Sequence, residues 1–310
     1  MAMLDIALIG ANEKRLDLVG RNAGRQGVIL AAGQLKGIYG APILGDWRRA
    51  ARQRGGTFKG RNYAWRDLAL GMHLFGDDNP NGIEWLDSLL DQMITDTPDE
   101  WDPNEQLARL VIKSKRDTRR LFIQRHDDTD FDPEFDPTME DEQYENPIYK
   151  VRAGMPFWEG REKLTFFEGS GTSGSGFIEV SNPSPLVMFQ AWSLTRAQWN
   201  IPDPSWIGPK GRRVPGGEFG NRVVELLPID SAHAGARINY DPMRLMLESW
   251  SGTNLLGENG GRDFFMHKIP PYTPKTLLPI SYTGAPSGVG ARAELRQPRL
   301  WPKPWGGELI

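Results

Sequence analysis

The sequence predicts a mainly β protein built as two domains. At 310 residues, the chain exceeds the size at which one hydrophobic core usually stops growing. Its 35 glycines and 24 prolines are spread throughout the chain. Short apolar runs lie between these turn residues, a pattern that favours many strands over long helices. We therefore expect two β-rich domains, each with its own core.

Residues 1–167 are predicted to form a β-barrel or sheet domain with one packed helix. The helix is GIEWLDSLLDQMI, residues 82–94, where Ile83, Leu86 and Leu90 recur at helical spacing and acids occupy the other face. Apolar runs, some with strict alternation, predict six strands: Met3–Ile9, Gly27–Ala31, Ala64–His73, Leu107–Lys113, Arg120–Arg125 and Ile148–Ala153.

Residues 168–176, EGSGTSGSG, are interpreted as a flexible linker. Gly169, Gly171 and Gly174 match the dinucleotide-binding spacing GxGxxG. That spacing requires a following helix to hold the pyrophosphate. Here FIEVSNPSP follows, which reads as a strand and then a turn, so no dinucleotide cofactor is expected.

Residues 177–295 are predicted to form a β-sandwich, because short strands recur at regular intervals between turn residues. The predicted strands are Gly176–Val180, Leu186–Trp192, Arg222–Pro228, Ala236–Tyr240, Arg244–Trp250, Asp263–Ile269 and Lys275–Ser281. The tail, residues 296–310, contains three prolines and two tryptophans and cannot be a regular element. We expect it to lie along another surface, such as a neighbouring copy.

Charge is unevenly distributed along the chain. Residues 1–75 hold 12 basic and 5 acidic side chains, whereas residues 76–167 hold 11 and 23. No interleaving of aromatic and basic residues accompanies the basic block, so nucleic-acid binding is not expected. The pattern favours unlike faces that meet between copies of a head-to-tail ring. Arg48, Arg49, Arg52 and Arg54 are the candidate subunit-contact residues.

The stretch HDDTDFDPEFDPTMEDE, residues 126–142, holds nine carboxylates. Asp128, Asp130 and Asp132 occupy the first, third and fifth places of a calcium loop. Pro133 stands where that loop needs glycine, and Met139 where it needs glutamate. We interpret the stretch as a solvated connection, with a loosely bound divalent cation as the alternative.

The sequence shows no catalytic signature. It contains no cysteine, no GxSxG and no GK[ST], and its four histidines are scattered. His267 is expected to be a partly buried, hydrogen-bonded side chain. Trp192, Trp199 and Trp206 recur every seven residues and are predicted to pack in the core or an interface; a sugar-stacking platform is the alternative. Neither a secretory signal nor a membrane span is expected.

Four stretches, taken in order, resemble a known family. They are GTFKGRNYAWRDLALGMHLFG, the helix, YKVRAGMPFWEG, and the set IEVSNPSPLVMFQAWSL, RVVELLPID and FFMHKIPPYTP. Together they are similar to the distal tail proteins of long-tailed bacteriophages, often labelled minor tail proteins in phages of actinobacteria. Pro156, Phe157 and Trp158 stand where that family closes its first domain.

The resemblance implies a virion protein at the tail tip, assembled in the host cytoplasm. It implies a homohexameric ring of first domains, with galectin-like second domains facing outward. The ring would join the major tail tube and tape measure proteins to the hub and fibre proteins. The alternatives are a glycan-binding module that recognises the host wall and a wall hydrolase.

Overall fold

The computed structural model describes residues 4–97, 99–102, 106–133, 135–139, 142–258 and 264–308. It is mainly β, as predicted, and divides into two compact units. The first comprises residues 1–160 with 301–306, and the second comprises residues 161–300 with 307–310. No helix among the described residues is both long and apolar enough to cross a membrane.

The first unit contains eleven strands before its chain leaves it, and one helix. They are β1 Asp5–Ile9, β2 Arg15–Val19, β3 Val28–Lys36, β4 Ile43–Arg48, β5 Thr57–Tyr63, β6 Arg66–Phe75, α1 Gly82–Met93, β7 Ala108–Lys113, β8 Thr118–Arg125, β9 Tyr144–Glu145, β10 Ile148–Ala153 and β11 Trp158–Glu159.

One large antiparallel sheet forms the first unit's frame, in the order β2-β1-β7-β8-β10-β6-β3. The alternation predicted for residues 148–153 is confirmed, since every second residue of β10 is buried. Helix α1 buries Ile83, Leu86, Leu89, Leu90 and Met93 against the same core, as its apolar spacing predicts. Burial of one such leucine contributes about 2 kcal/mol.

The second unit is built from two facing sheets around one core. Its elements are β12 Lys163–Gly169, β13 Gly174–Asn182, β14 Ala191–Thr195, β15 Gln198–Pro202, β16 Trp206–Ile207, β17 Val214–Pro215, β18 Val223–Glu225, β19 Gly235–Asn239, β20 Leu247–Ser249, α2 Leu255–Glu258, β21 Thr273–Thr283 and β22 Ala291–Gln297. The sheet orders are β12-β22-β14-β19-β20 and β13-β21-β15-β18. Side chains from both sheets share one buried cluster, which is the arrangement of a β-sandwich.

The boundary between units differs from the predicted linker at residues 168–176. Lys163–Gly169 pairs residue by residue with Ala291–Gln297, so β12 already belongs to the second unit. The Gly/Ser segment turns the chain from β12 in one sheet to β13 in the other. The sequence suggested a linker because glycine and serine carry no apolar periodicity, whereas ladder hydrogen bonds hold both flanking strands.

Two predicted strands of the second unit are wrong or displaced. Residues 264–268 form no strand, and Asp263 lies outside the described residues. The backbone N–H groups of Met266 and His267 donate instead to the buried Asp203 carboxylate, at 2.9 and 3.0 Å. The strand predicted at Leu186–Trp192 begins only at Ala191.

A candidate assembly surface on the first unit

A two-stranded hairpin stands apart from the large sheet. Strands β4 and β5 pair antiparallel from Ile43↔Tyr63 to Arg48↔Thr57 and pair with no other strand of the described chain. All six residues of β4 are exposed. An isolated hairpin is marginally stable in water, so this one is suited to be stabilised by packing or strand pairing against another surface.

The hairpin exposes a group of large apolar side chains. Trp47 is 64 % exposed and contacts Phe58 edge to face, with ring centroids 5.2 Å apart. Ile43 and Leu44 are exposed beside them on the same strand. A cluster of exposed apolar residues of this kind marks an interaction surface.

The tip of the hairpin gathers the four arginines singled out in the sequence. Arg48 ends β4, and Arg49, Arg52 and Arg54 lie in the connection to β5. Among the described residues, only Arg48 of these four arginines forms an ion pair, a contact of 4.0 Å with Asp46. The tip therefore presents a concentrated positive charge next to an apolar stem.

The turn at this tip is held by one amide side chain. Gln53 accepts a hydrogen bond from the Ala50 N–H at 3.0 Å and donates to the Thr57 hydroxyl at 2.7 Å. These bonds fix the backbone that carries the arginines. The tip is thus a shaped loop with its charges aimed at solvent.

A buried arginine anchors the root of the hairpin. Arg66, the first residue of β6, is fully buried and donates only to backbone carbonyls. Its four acceptors, with distances, are Pro156 (2.9 Å), Gly37 (3.1 Å), Ile38 (2.6 Å) and Pro302 (2.8 Å). Burial lowers the pKa of Arg66 to about 10, so it stays protonated at neutral pH. One guanidinium thus joins three separate segments of the chain.

The triplet Pro156-Phe157-Trp158 surrounds this anchor. Pro156 supplies one of the carbonyls bound by Arg66. Phe157 packs edge to face on Tyr63 at the end of the hairpin, with centroids 4.8 Å apart. Trp158 is fully buried and donates its indole N–H to the Ile38 carbonyl at 3.2 Å. The triplet therefore packs against the residues at the base of the hairpin and holds them in place.

Residues 301–306 of the C-terminal tail belong to the first unit of their own chain, so this part of the tail lies along a surface of its own copy and not along a neighbouring one. Trp301 is buried in the first core, and the Arg119 guanidinium lies 4.0 Å from the centre of its ring. Arg119 also donates to the carbonyls of Lys303 at 2.9 Å and Gly306 at 2.8 Å. Leu300–Trp301 forms a short strand, β23, that pairs with β11. The prolines at residues 302 and 304 prevent a longer one, so side-chain donors satisfy the carbonyls that follow.

The acidic stretch supplies no metal site within the described residues. Among those residues, no group of three or more histidine, aspartate or glutamate side chains is arranged to hold an ion. Asp130 forms an ion pair with Lys150 at 2.7 Å, and its backbone bridges to Ile148. Asp128 and Asp132 lie in the same exposed connection between β8 and β9.

A separate carboxylate lies buried beneath helix α1. Glu145, in β9, is nearly inaccessible, and burial raises its pKa to about 7, with the charge of Asp87 adding to the effect. Asp87 itself has a raised pKa, mainly because of burial and then because of Asp91. Sequence gave no signal for this pair, since their contact depends on how α1 lies over the sheet.

The three tryptophans that recur every seven residues belong to the second core or pack against it, as predicted. Trp192 and Trp199 are buried, and Trp206 packs against the same cluster. His267 is partly buried and its Nδ1 lies 2.8 Å from the Asp203 carbonyl, which confirms a satisfied histidine. Because Trp192 and Trp199 are buried, the indole face of neither is accessible to a sugar.

The sequence matches no protein-family model and no curated protein. Solved structures do resemble the fold. The crystal structure of the Dit protein of phage SPP1, described as a paradigm of the hub adsorption apparatus in phages that infect Gram-positive bacteria, matches with a TM-score of 0.55 and 11 % identity, over 96 % of this chain and 99 % of that one.

Two structures of the phage P2 baseplate in its activated conformation were also found. The one with calcium has a TM-score of 0.45 at 9 % identity, and the one with strontium 0.43 at 10 %. Each covers 96 % of this chain and 98 % of the other. The SPP1 match shows that this chain shares the fold of a phage Dit protein along nearly its full length.

Proposed function

We propose that this chain is a structural, non-enzymatic protein of the tail tip of a long-tailed phage. Copies would form a closed ring, six in number, that joins the tail tube to the central hub and receptor-binding fibres. The observation that carries the proposal is the whole-length likeness to the SPP1 Dit fold. The short sequence stretches that resemble distal tail proteins support the same proposal. That resemblance also implies an actinobacterial host and a galectin-like second unit.

The hairpin β4–β5 is the proposed contact between neighbouring copies. It combines exposed apolar side chains with the arginine tip, while residues 76–167, most of which lie in the same unit, carry an excess of 12 acidic groups. A surface that meets an unlike surface generates a ring when the rotation closes. Charge then steers the encounter, and the apolar stem, including Trp47, supplies the buried area.

The partners proposed beyond the chain itself are the major tail tube protein, the tape measure protein and the hub and fibre proteins. A glycan-binding role remains the second hypothesis of the sequence, but burial of Trp192 and Trp199 removes the platform on which it rested. Titration of tryptophan fluorescence with soluble wall glycan tests it. Saturable quenching would reinstate that role.

Negative-stain imaging with mass photometry tests the ring. We expect particles of six 34.9-kDa chains with a central hole. Reversing two tip charges, Arg49→Glu with Arg54→Glu, should shift the population to monomers. The matched control reverses two exposed arginines of the second unit, Arg237 and Arg244, and should leave the rings intact. Rings that survive the tip reversal would overturn the hairpin assignment.

A further inference from the structure

The second unit carries an open groove of about 540 Å³ with a positively charged lining. Lys163, Lys275 and Arg299 contribute three cations, and Pro183, Tyr272 and Pro274 supply apolar wall. The neighbouring carboxylate is Glu179, which is bound to Lys163. Lys275 forms no ion pair within the part of the chain that the structure describes, but its charge adds to the hydrogen bond from Lys163 in lowering the pKa of Glu179. The groove therefore carries excess positive charge beside apolar surface.

Arg299 makes this excess costly. Its side chain is 8 % exposed, and its terminal nitrogens donate to the backbone carbonyl and the hydroxyl of Ser181. It forms no ion pair with any carboxylate of the described residues, and burial lowers its pKa to about 10. A buried cation without a counter-charge pays for desolvation without Coulombic compensation. An anion in the groove would offset that cost.

The first unit exposes a segment with the complementary chemistry. Within the acidic stretch, the triplet Phe-Asp-Pro occurs twice, at residues 131–133 and 135–137. Phe135 is 78 % exposed and Phe131 is also exposed. Exposed phenylalanines beside aspartates in a proline-restricted chain are typical of a peptide that docks with both ring and carboxylate.

We propose that the groove of one copy binds the Phe-Asp-Pro repeat of a second copy. The aspartates would meet Lys163, Lys275 and Arg299, and a phenyl ring would lie against Tyr272 and the prolines. The proposal rests on the proposed function, because a ring holds copies at a high local concentration and makes a weak contact effective. It assigns a partner to the Phe-Asp-Pro repeat, whose two phenylalanines are exposed.

Binding of a synthetic peptide, residues 126–142 with a fluorescein label, tests the proposal by fluorescence anisotropy. The receptor is the full chain with Phe131 and Phe135 changed to serine and Asp132 and Asp136 changed to asparagine, so that its own repeats do not compete. We expect saturable binding that weakens with salt. Lys275→Glu should weaken it by about tenfold. Arg237→Glu, the same charge change on the other sheet, should alter it by less than about twofold.

Three results would overturn the proposal: no saturable binding, equal binding of a peptide with both phenylalanines replaced by serine, or binding of inorganic phosphate without binding of the peptide. Because Lys275 is a surface residue, its variant keeps the test valid if Arg299→Met fails to fold. The peptide assay needs no ring, so its failure and failure of the ring are separate results. Binding by a monomeric receptor would support the groove, and mass photometry of the unsubstituted chain tests the hexamer separately.

Discussion

Replacement of Arg66 by lysine tests the anchor beneath the hairpin. The guanidinium reaches four backbone carbonyls through three nitrogens. Lysine keeps the charge but has one nitrogen, which cannot approach all four acceptors, so we expect at least two bonds to be lost. A hydrogen bond to a charged group contributes about 1.5–3 kcal/mol, and partial relaxation reduces the sum. The expected loss is about 3 kcal/mol in the free energy of unfolding of the first unit.

Urea denaturation and hydrogen exchange measure this loss. A change of about 3 kcal/mol moves the urea midpoint of a unit this size by roughly 1–1.5 M. Exchange should accelerate in peptides over β5, β6 and β10, and remain unchanged in peptides over β14 and β15. Arg116→Lys, an exposed residue of the same unit, is the control. A loss below about 1 kcal/mol for Arg66→Lys would refute the anchor.

Three further predictions concern the first unit. Folded Glu145 keeps its proton to about pH 7, whereas the unfolded chain loses it near pH 4.5, so the free energy of unfolding should fall on the order of 2 kcal/mol as pH rises across that range. Urea titrations at pH 5 and 8 should show that Glu145→Gln removes this contribution to the pH dependence of stability. An unchanged pH dependence in the variant would contradict the prediction. Deletion of residues 301–310 should lower the urea midpoint of the first unit, because it removes Trp301 and carbonyls that accept hydrogen bonds from Arg66 and Arg119. Deletion of residues 307–310 alone should leave the midpoint unchanged. Equal midpoints for the two deletions would show that the tail does not stabilise the first unit. Gly37→Ala should lower the melting temperature far more than Gly33→Ala. Both glycines have positive φ, but a Cβ at Gly37 would lie 2.1 Å from the Asp67 carbonyl oxygen, whereas a Cβ at Gly33 would meet no atom within 4 Å. Similar melting temperatures for the two variants would refute this prediction.

Sequence periodicity was sufficient where one face of an element is buried. Helix α1 and strand β10 were predicted to within a residue, because alternation and helical spacing report burial directly. The hairpin β4–β5 was missed for the complementary reason. Its residues are exposed on both faces, so the apolar pattern that identifies a strand is absent.

The anchor could not be predicted from sequence either. Arg66 binds carbonyls from residues 37, 38, 156 and 302, and no local pattern specifies contacts across such separations. The prediction that the tail is irregular was only partly right, because strand β22 extends to Gln297 and Leu300–Trp301 form a short strand. Its site was not predicted, because proline and tryptophan content does not say which surface is covered. The arginines at residues 48–54 were selected by charge alone, and only the fold shows that they share one tip.

Photo-crosslinking from the hairpin detects the proposed contact between neighbouring copies. The chain contains no cysteine, so Ala51→Cys gives one exposed attachment point for a maleimide benzophenone in the tip. We expect covalent dimers and higher multiples after illumination, with the linkage mapped by mass spectrometry to residues 76–167 of a second copy. Labelled protein that stays monomeric after illumination, or that links only to its own chain, would contradict a ring built through the hairpin.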